Sequence, residues 1–286
     1  MGWLSSTDLR RLSLEACLCA ALFPWPRRTG LARFATIAEI RTAPGLRMAC
    51  LRGVPTPWAE AAKGIFHVKG LDCQYGVQGE GDEEGAVAAW AGDSSVPVVA
   101  FENEPLRTGW AEILILAERL APEPALIPGS ASERADCFGL AHEICGQMGL
   151  GWAYRLVMAQ RALSHEETEG KFPPGVGQYL AAKYGLNPVH ARQAKSRVLE
   201  VLGLLDGRLR QGRWLCGAAL SAVDVHWAAF ANLFAPLPEA ELSALPMIRD
   251  AYSCRDDDIN AALTPRLRAH QRRIYDDHLE LPVPLG

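Results

Sequence analysis

The sequence lacks the cysteine patterns that carry redox or metal chemistry. It has eight cysteines, but none forms a C-x-x-C pair and none has a histidine at a spacing suited to zinc. Neither a dithiol motif nor a metal site is therefore predicted. Cysteines scattered in this way fit a reducing compartment, so we expect the protein to be cytoplasmic. Cys50 and Cys145 lie in apolar segments and are interpreted as small buried hydrophobic residues.

The sequence also lacks long apolar runs and a strong charge of either sign. No stretch approaches the roughly 18 uninterrupted apolar residues that a membrane-spanning helix needs. The formal net charge of -4 makes nucleic acid a poor partner. With 286 residues, 49% of them hydrophobic, the chain is long enough for two domains with cores of their own.

Residues 1–45 are interpreted as an N-terminal extension, either poorly ordered or acting in targeting. Leu12 to Phe23 follows a pair of arginines, as in a signal segment, but Glu15 interrupts it and no small-residue cleavage site follows. Secretion is therefore not expected. The excess of arginine over acidic residues leaves organellar targeting as an alternative to a cytoplasmic location.

Residues 46–122 read as a small α/β domain. Thr56-Pro57 suits the start of a helix, because threonine is a good N-cap and proline is favoured at the first helical position. The apolar residues from Trp110 to Leu120 recur at helical spacing. The predicted order is βαβαββα: strand 46–51, helix 56–69, strand 73–77, helix 86–91, a strand at Val96-Pro97, its partner across the Asn103-Glu104 turn, and helix 110–120.

The rest of the chain shows no strand pattern. Residues 123–131 form a proline-rich linker, and we predict an all-helical domain over 132–276 followed by a tail at 277–286. Helices are expected over 132–163, with a kink near Gly149 and Gly151, over 190–211, and over 222–233. The last of these is apolar almost all round and is predicted to be the buried centre of a bundle. His226 on this helix is interpreted as a core histidine rather than a base.

Two local motifs are specific. Pro97 stands at the start of an apolar strand, where it cannot donate a hydrogen bond to the sheet. We predict a cis peptide bond between Val96 and Pro97 that faces the helix start at Thr56. Ser221-Ala222-Val223-Asp224 reads as a capping box at the start of the buried helix. Its predicted role is structural.

These features together resemble the soluble glutathione S-transferase superfamily over roughly residues 46–255. The resemblance rests on the first strand, the Thr56-Pro57 helix start, Val96-Pro97, the helix that ends at Leu120, and Trp214-Leu215-Cys216-Gly217 followed by the capping box. It implies a thioredoxin-like domain followed by an all-helical domain, glutathione as co-substrate without a metal, a hydrophobic electrophile as second substrate, and a homodimer.

The resemblance also assigns candidate site residues. Thr56 stands where the family carries the Ser or Cys that meets the glutathione sulfur, and it is the candidate catalytic residue. Val96 and Pro97 would hold the cysteinyl part of the tripeptide. Thr108-Gly109 stands where the family has a Glu-Ser pair for the γ-glutamyl end, which is a departure. Arg52, just beyond the first strand, is a further candidate for binding an anionic ligand.

Several interpretations remain open at this point. Thr56 fits a simple N-cap as well as a thiol-activating hydroxyl. The chain as a whole fits a glutathione transferase-like enzyme or, alternatively, a non-catalytic binding or stress-associated protein of the same fold. A thiol reductase is disfavoured because Thr56 occupies the place of the nucleophilic cysteine.

Overall fold

A four-stranded sheet forms the first half of the molecule. The computed structural model describes residues 34–78, 85–164 and 170–286. The sheet has the order β1-β3-β2-β4. Strand β3 runs parallel to both β1 and β2, and β4 runs antiparallel to β2. The bounds are β1 Phe34–Ala35, β2 Leu46–Leu51, β3 Cys73–Gln78 and β4 Val98–Phe101.

Helices connect and cover these strands. Strand β2 is a near-continuous buried run, as expected of a central strand covered on both faces. The helices are α1 Ile37–Thr42, α2 Pro57–Val68, α3 Ala86–Ala91 and α4 Trp110–Leu120. Helix α2 begins at Pro57, whose missing N–H costs nothing at the first helical position.

The folded part begins earlier than the sequence indicates. We predicted that it starts at Leu46, but β1 and α1 precede that residue and add an edge strand and a helix to the sheet. Thr36 caps α1, since its hydroxyl accepts from the Glu39 N–H and the Glu39 carboxylate accepts from the Thr36 N–H. The interpretation of residues 1–45 as an extension outside the folded part is thus wrong for residues 34–45. Residues 1–33 lie outside the described residues.

The predicted hairpin after Val96-Pro97 is shorter than expected. Strand β4 begins at Val98, and the strand predicted beyond the Asn103-Glu104 turn is reduced to one bridge, between Val99 and Arg107. The backbone N–H of each residue donates to the carbonyl of the other, at 2.8 and 2.9 Å. With that bridge counted as the second strand, the order from β2 to α4 is the predicted βαβαββα.

The described residues of the second half form helices and connecting loops, with no strand among them. The predicted helix over 132–163 is two helices, because the segment from Gly146 to Gly149 interrupts it. Other helices were not predicted from the sequence. The helices are α5 Ala131–Cys145, α6 Leu150–Leu163, α7 Pro174–Tyr184, α8 Pro188–Gln211, α9 Ala222–Ala231, α10 Pro246–Tyr252, α11 Asp257–Ala262 and α12 Pro265–His278. None of the helices described here is both long and apolar enough to cross a membrane.

Helix α9 is the buried centre of the bundle, as predicted. Every one of its residues is buried, and it packs against α2, α5 and α12. Gly64 permits its close approach to α2, because a Cβ at that position would lie 2.9 Å from a methyl carbon of Val225. The sheet and the helical bundle therefore share one tightly packed contact.

The Asp224 carboxylate organises the start of α9. It is fully buried and accepts from the Ser221 N–H at 2.9 Å, the Ser221 hydroxyl at 2.7 Å and the Leu215 N–H at 2.9 Å. His270 on α12 contacts it through Nε2 at 2.8 Å. The Asp224 carboxylate therefore reaches back to the N-cap as predicted. It also connects the loop at Leu215 with α9 and α12.

The Asp224 network predicts a marked difference between two substitutions. Asp224→Ala leaves four buried groups without an acceptor, and we expect the free energy of unfolding to fall by at least about 3 kcal/mol. Ser221→Ala removes one side-chain partner and is expected to cost about 1 kcal/mol. Denaturant unfolding measures both. Equal effects of the two substitutions, or a selective loss of ligand binding with unchanged stability, would contradict this structural role.

Candidate functional site

A cavity of about 150 Å³ lies between the first turn of α2 and the helical bundle. Thr56 and Val96 line it from the sheet side, whereas Arg155 on α6, Tyr184 at the end of α7 and Tyr252 at the end of α10 line it from the helical side. Most of the remaining wall is aliphatic or aromatic. Its lining among the described residues includes no cysteine and no acidic side chain.

The Thr56 hydroxyl is buried and unpaired. An N-cap threonine accepts a hydrogen bond from an N–H in the first turn of its helix, but Thr56 makes no such bond. Its Oγ1 atom has no hydrogen-bond partner, although it is shielded from solvent. Thr56 does occupy the N-cap position of α2, and its carbonyl accepts from the Glu60 N–H at 2.9 Å. The interpretation of the side chain as a cap is therefore wrong.

Val96 lines the same cavity, and its backbone has no hydrogen-bond partner among the described residues. The peptide bond between Val96 and Pro97 is cis, as predicted. Val96 lies just before β4 and is half-buried. Neither its N–H nor its C=O is hydrogen-bonded to another described residue. Both groups are therefore available to pair with an extended ligand.

The other candidate residues lie apart from that cavity. Pro97 and Thr108 line a second, much smaller cavity of about 10 Å³, together with Trp110 and His226. Arg52 and Gly109 line neither of the two cavities. The Arg52 Nε atom is buried without a partner. The structure thus places Thr56 and Val96 in the wall of one cavity, whereas Arg52 and Gly109 line neither cavity.

Charged side chains flank the 108–109 segment. The guanidinium group of Arg107 pairs with Glu104 at 2.5 Å, and Arg119 pairs with the same carboxylate at 2.6 Å. Arg107 is thus not a free cation. The carboxylate of Glu112 on α4 folds back over Gly109, where a Cβ would lie 3.1 Å from its Oε2 atom. An exposed acid therefore stands near the 108–109 segment, and sequence reasoning missed it.

Trp58 fixes the first turn of α2 against the helical bundle. Its indole N–H donates to the carbonyl of Cys145 on α5 at 2.9 Å. Its ring lies edge-on to Phe230 at 4.9 Å and stacks with Tyr184 at 6.0 Å between centroids. Trp58 lines both cavities, so it lies between them and connects the start of α2 to the helices.

Comparisons with known proteins agree with this architecture. Residues 188–252 match the family model described as glutathione S-transferase, C-terminal domain. No curated protein sequence matches the chain. A glutathione S-transferase from Methylobacterium radiotolerans, in complex with glutathione sulfonate, is 14% identical with a TM-score of 0.54, and the alignment covers 84% of this chain and 95% of that one.

Two further solved structures give the same result. A rice glutathione S-transferase in complex with glutathione is 17% identical with a TM-score of 0.52, covering 83% of this chain and 93% of that one. A glutathione S-transferase from Xanthobacter autotrophicus is 16% identical with a TM-score of 0.50, covering 84% and 97%. The chain has the glutathione S-transferase fold. The predicted fold class and the resemblance to this superfamily are confirmed.

Within the glutathione S-transferase fold, the buried cysteines are poor nucleophiles. Burial raises the pKa of the Cys50 thiol to about 12, and it raises the pKa of Cys145 well above its ordinary value. Both residues lie in the core, as predicted. A thiolate at neutral pH must therefore come from elsewhere than these two side chains.

His226 on the central helix of the transferase fold is a buried neutral histidine. Burial lowers its pKa to about 4, and its Nδ1 atom lies 2.6 Å from the Ala222 carbonyl oxygen. A pKa lowered by folding means that protonation favours the unfolded chain. Stability from this residue is present above pH 6.5 and is lost as the pH falls toward 4.

His226 therefore predicts part of the acid sensitivity of the protein. When the pH is lowered from 7 to 4, the free energy of unfolding should fall in both proteins. We expect the fall in His226→Gln to be smaller than that in the wild type by up to about 3 kcal/mol. Chemical denaturation at a series of pH values measures this difference. His67→Gln, at an exposed position of α2, is the matched control. An unchanged pH dependence in His226→Gln would contradict the burial effect.

Proposed function

We propose that this protein is a glutathione transferase-like enzyme that binds a glutathione-type thiol and activates it at Thr56. The thiolate sulfur attacks a hydrophobic electrophile, so that a carbon–sulfur bond forms while a leaving group departs or a double bond takes up a proton. The observation that carries this proposal is the buried hydroxyl of Thr56, which has no hydrogen-bond partner and belongs to a residue that lines the cavity at the start of α2.

The energy available at Thr56 is of the required size. Lowering a thiol pKa by two units from its ordinary value near 8.5 takes roughly 2.7 kcal/mol of preference for the thiolate. A hydrogen bond to a charged group contributes about 1.5 to 3 kcal/mol, and a helix N-terminus adds about 0.3 to 1 kcal/mol. A hydroxyl engaged as a cap would not be free to donate, whereas that of Thr56 is unpaired.

Two features support the binding of an extended tripeptide beside Thr56. Val96 lines the cavity, and its N–H and C=O make no hydrogen bond to another described residue, so one donor and one acceptor are available to a peptide backbone. Pro97 holds this segment at the mouth of β4. The apolar remainder of the cavity suits a hydrophobic second substrate, because burial of its surface is favourable.

The γ-glutamyl end requires an acceptor for its ammonium group. Thr108 offers a neutral hydroxyl, and Gly109 offers no side chain. The exposed Glu112 carboxylate next to Gly109 is a nearby candidate for this role. Arg52 lines neither cavity. The role that we propose for it is therefore limited to contact with the carboxylates of the ligand.

The second candidate function is a non-catalytic binding protein of the same fold. The specific observation in its favour is the neutral Thr108-Gly109 pair in place of an acid. Homodimer formation and a cytoplasmic location belong to the proposal in either case, and sedimentation analysis tests the first of them.

Substitutions at Thr56 test the catalytic assignment. Thr56→Ala is expected to lower turnover with glutathione by roughly one to three orders of magnitude while glutathione still binds, because the hydroxyl mainly stabilises the thiolate. Thr56→Ser should retain most of the activity. A thiol-conjugation assay combined with calorimetry measures both effects. If Thr56→Ala leaves turnover unchanged, the hydroxyl has no such role, whatever its effect on stability.

A second test concerns the departure at Thr108. Thr108→Glu supplies a carboxylate for the ligand ammonium and is expected to tighten glutathione binding by about ten- to a hundredfold. Thr108→Gln, with the same shape but no charge, is the control and should change binding little. No glutathione binding in the wild type or in Thr108→Glu would favour the binding-protein alternative.

A further inference from the structure

Arg155 is a buried cation in the wall of the cavity. Only 5% of the residue is exposed. Its Nη2 atom donates to the Tyr252 hydroxyl at 2.7 Å, and its Nη1 atom lies 3.7 Å from the sulfur of Met158. Its guanidinium group also lies 5.1 Å from the centroid of the Tyr252 ring. The side chain of Tyr184 also hydrogen-bonds to it. These partners are hydroxyls, a thioether and an aromatic ring, and none of them is a carboxylate.

The Arg155 charge has no acidic partner among the described residues. No carboxylate there forms an ion pair with it, and its Nε–H is buried without an acceptor. Leaving a buried charge uncompensated is strongly unfavourable, so such groups are ordinarily paired with an opposite charge. An arginine guanidinium presents a planar fork of donors that matches a carboxylate. The cavity thus offers one half of an ion pair.

We propose that the cavity accepts an electrophile that carries a carboxylate, which pairs with Arg155 while the apolar body of the electrophile contacts the aromatic and aliphatic wall. This inference rests on the proposed function, because it names the class of the second substrate for the same site. Thr56 and Arg155 line one cavity of about 150 Å³, so a small acceptor contacts both.

Neighbouring tyrosines reinforce this arrangement. Tyr184 and Tyr252 both line the cavity on the side of Arg155. Burial raises the pKa of Tyr184, so its hydroxyl stays protonated at neutral pH and is available as a neutral donor. The positive charge of Arg155 is therefore not cancelled by a nearby phenolate. A substrate carboxylate would meet a cation and hydroxyl donors.

A pair of matched probes tests the proposal by binding alone. 4-Chloro-3-nitrobenzoate and 4-chloro-3-nitrobenzamide differ in charge but have nearly the same shape. Calorimetric titration into the full-length protein without glutathione should show at least about tenfold tighter binding of the benzoate. We expect Arg155→Met to abolish this preference. Arg155→Gln, which keeps a donor for Tyr252, serves as the second variant if the methionine variant does not fold.

The same substitution elsewhere is the control. Arg213 also lies over an aromatic ring, that of Trp214 at 5.1 Å, but it does not line the cavity. Arg213→Met should therefore keep the preference for the benzoate. Equal affinity for the two probes, no binding of either, or a preference that survives in every folded Arg155 variant would overturn the proposal.

Turnover separates this inference from the proposed function. With glutathione present, the thiolate attacks the ring carbon that bears chlorine, the carbon–sulfur bond forms, chloride leaves, and the thiol proton passes to water. In the wild type, the rate enhancement over the uncatalysed reaction should be at least about tenfold larger for the benzoate than for the amide. The Arg155 variants should not show this difference. A benzoate preference in binding without any glutathione binding would overturn the proposed function and retain the anion site. Conjugation of both probes without discrimination would overturn the anion site and retain the proposed function.

Discussion

The contact of Trp58 with the helical bundle is the constraint on which the site depends. Thr56 stands two residues before Trp58, at the N-terminus of α2, and that terminus is held against the bundle by the indole, which is hydrogen-bonded to Cys145 and packed on Phe230 and Tyr184. Gly64, farther along α2, allows the same helix to lie directly against α9. The sheet and the bundle are thereby joined at one helix, and the cavity between them is a consequence of that junction.

The buried charges of the molecule fall into two kinds. Asp224 is fully buried and has four hydrogen-bonding partners, and Glu60 pairs with Lys63 at 2.8 Å, so these charges are compensated within the fold. Arg155 is also buried, but its partners among the described residues are tyrosine hydroxyls, a sulfur and an aromatic ring, with no carboxylate. Thr56, whose hydroxyl is unpaired, lines the same cavity. Two residues with unsatisfied polar atoms in the wall of one cavity are more informative about function than either of them alone.

Local signals in the sequence were sufficient for much of the fold. Thr56-Pro57 marks the start of a helix, Val96-Pro97 marks the start of a strand, and Ser221 with Asp224 marks the capped start of a helix that is apolar almost all round. These signals can be read from the sequence because each depends on neighbours within a few residues. The edge strand Phe34–Ala35 was missed because two residues carry no periodicity. The break between α5 and α6 was expected only as a kink, since glycine alone does not distinguish a bend from an interruption.

The candidate site was less accessible to sequence reasoning for a physical reason. Thr56 and Val96 were found because both lie in motifs, whereas Arg155 and Glu112 lie on helices with no local pattern to mark them. Their significance comes from long-range packing, which brings Arg155 next to Tyr252, 97 positions away. Whether a threonine hydroxyl is a cap or a free donor is likewise decided by three-dimensional surroundings and not by the dipeptide.

Ionisation of the bound thiol tests the central claim most directly. The ultraviolet absorbance of the thiolate, followed as a function of pH for glutathione bound to the wild type and to Thr56→Val, gives the pKa of the bound thiol without any second substrate. We expect a value at least about 1.5 units below the ordinary thiol pKa near 8.5 in the wild type, and a value close to the ordinary one in the variant. Bound glutathione that titrates at its ordinary pKa in the wild type would contradict the assignment of Thr56.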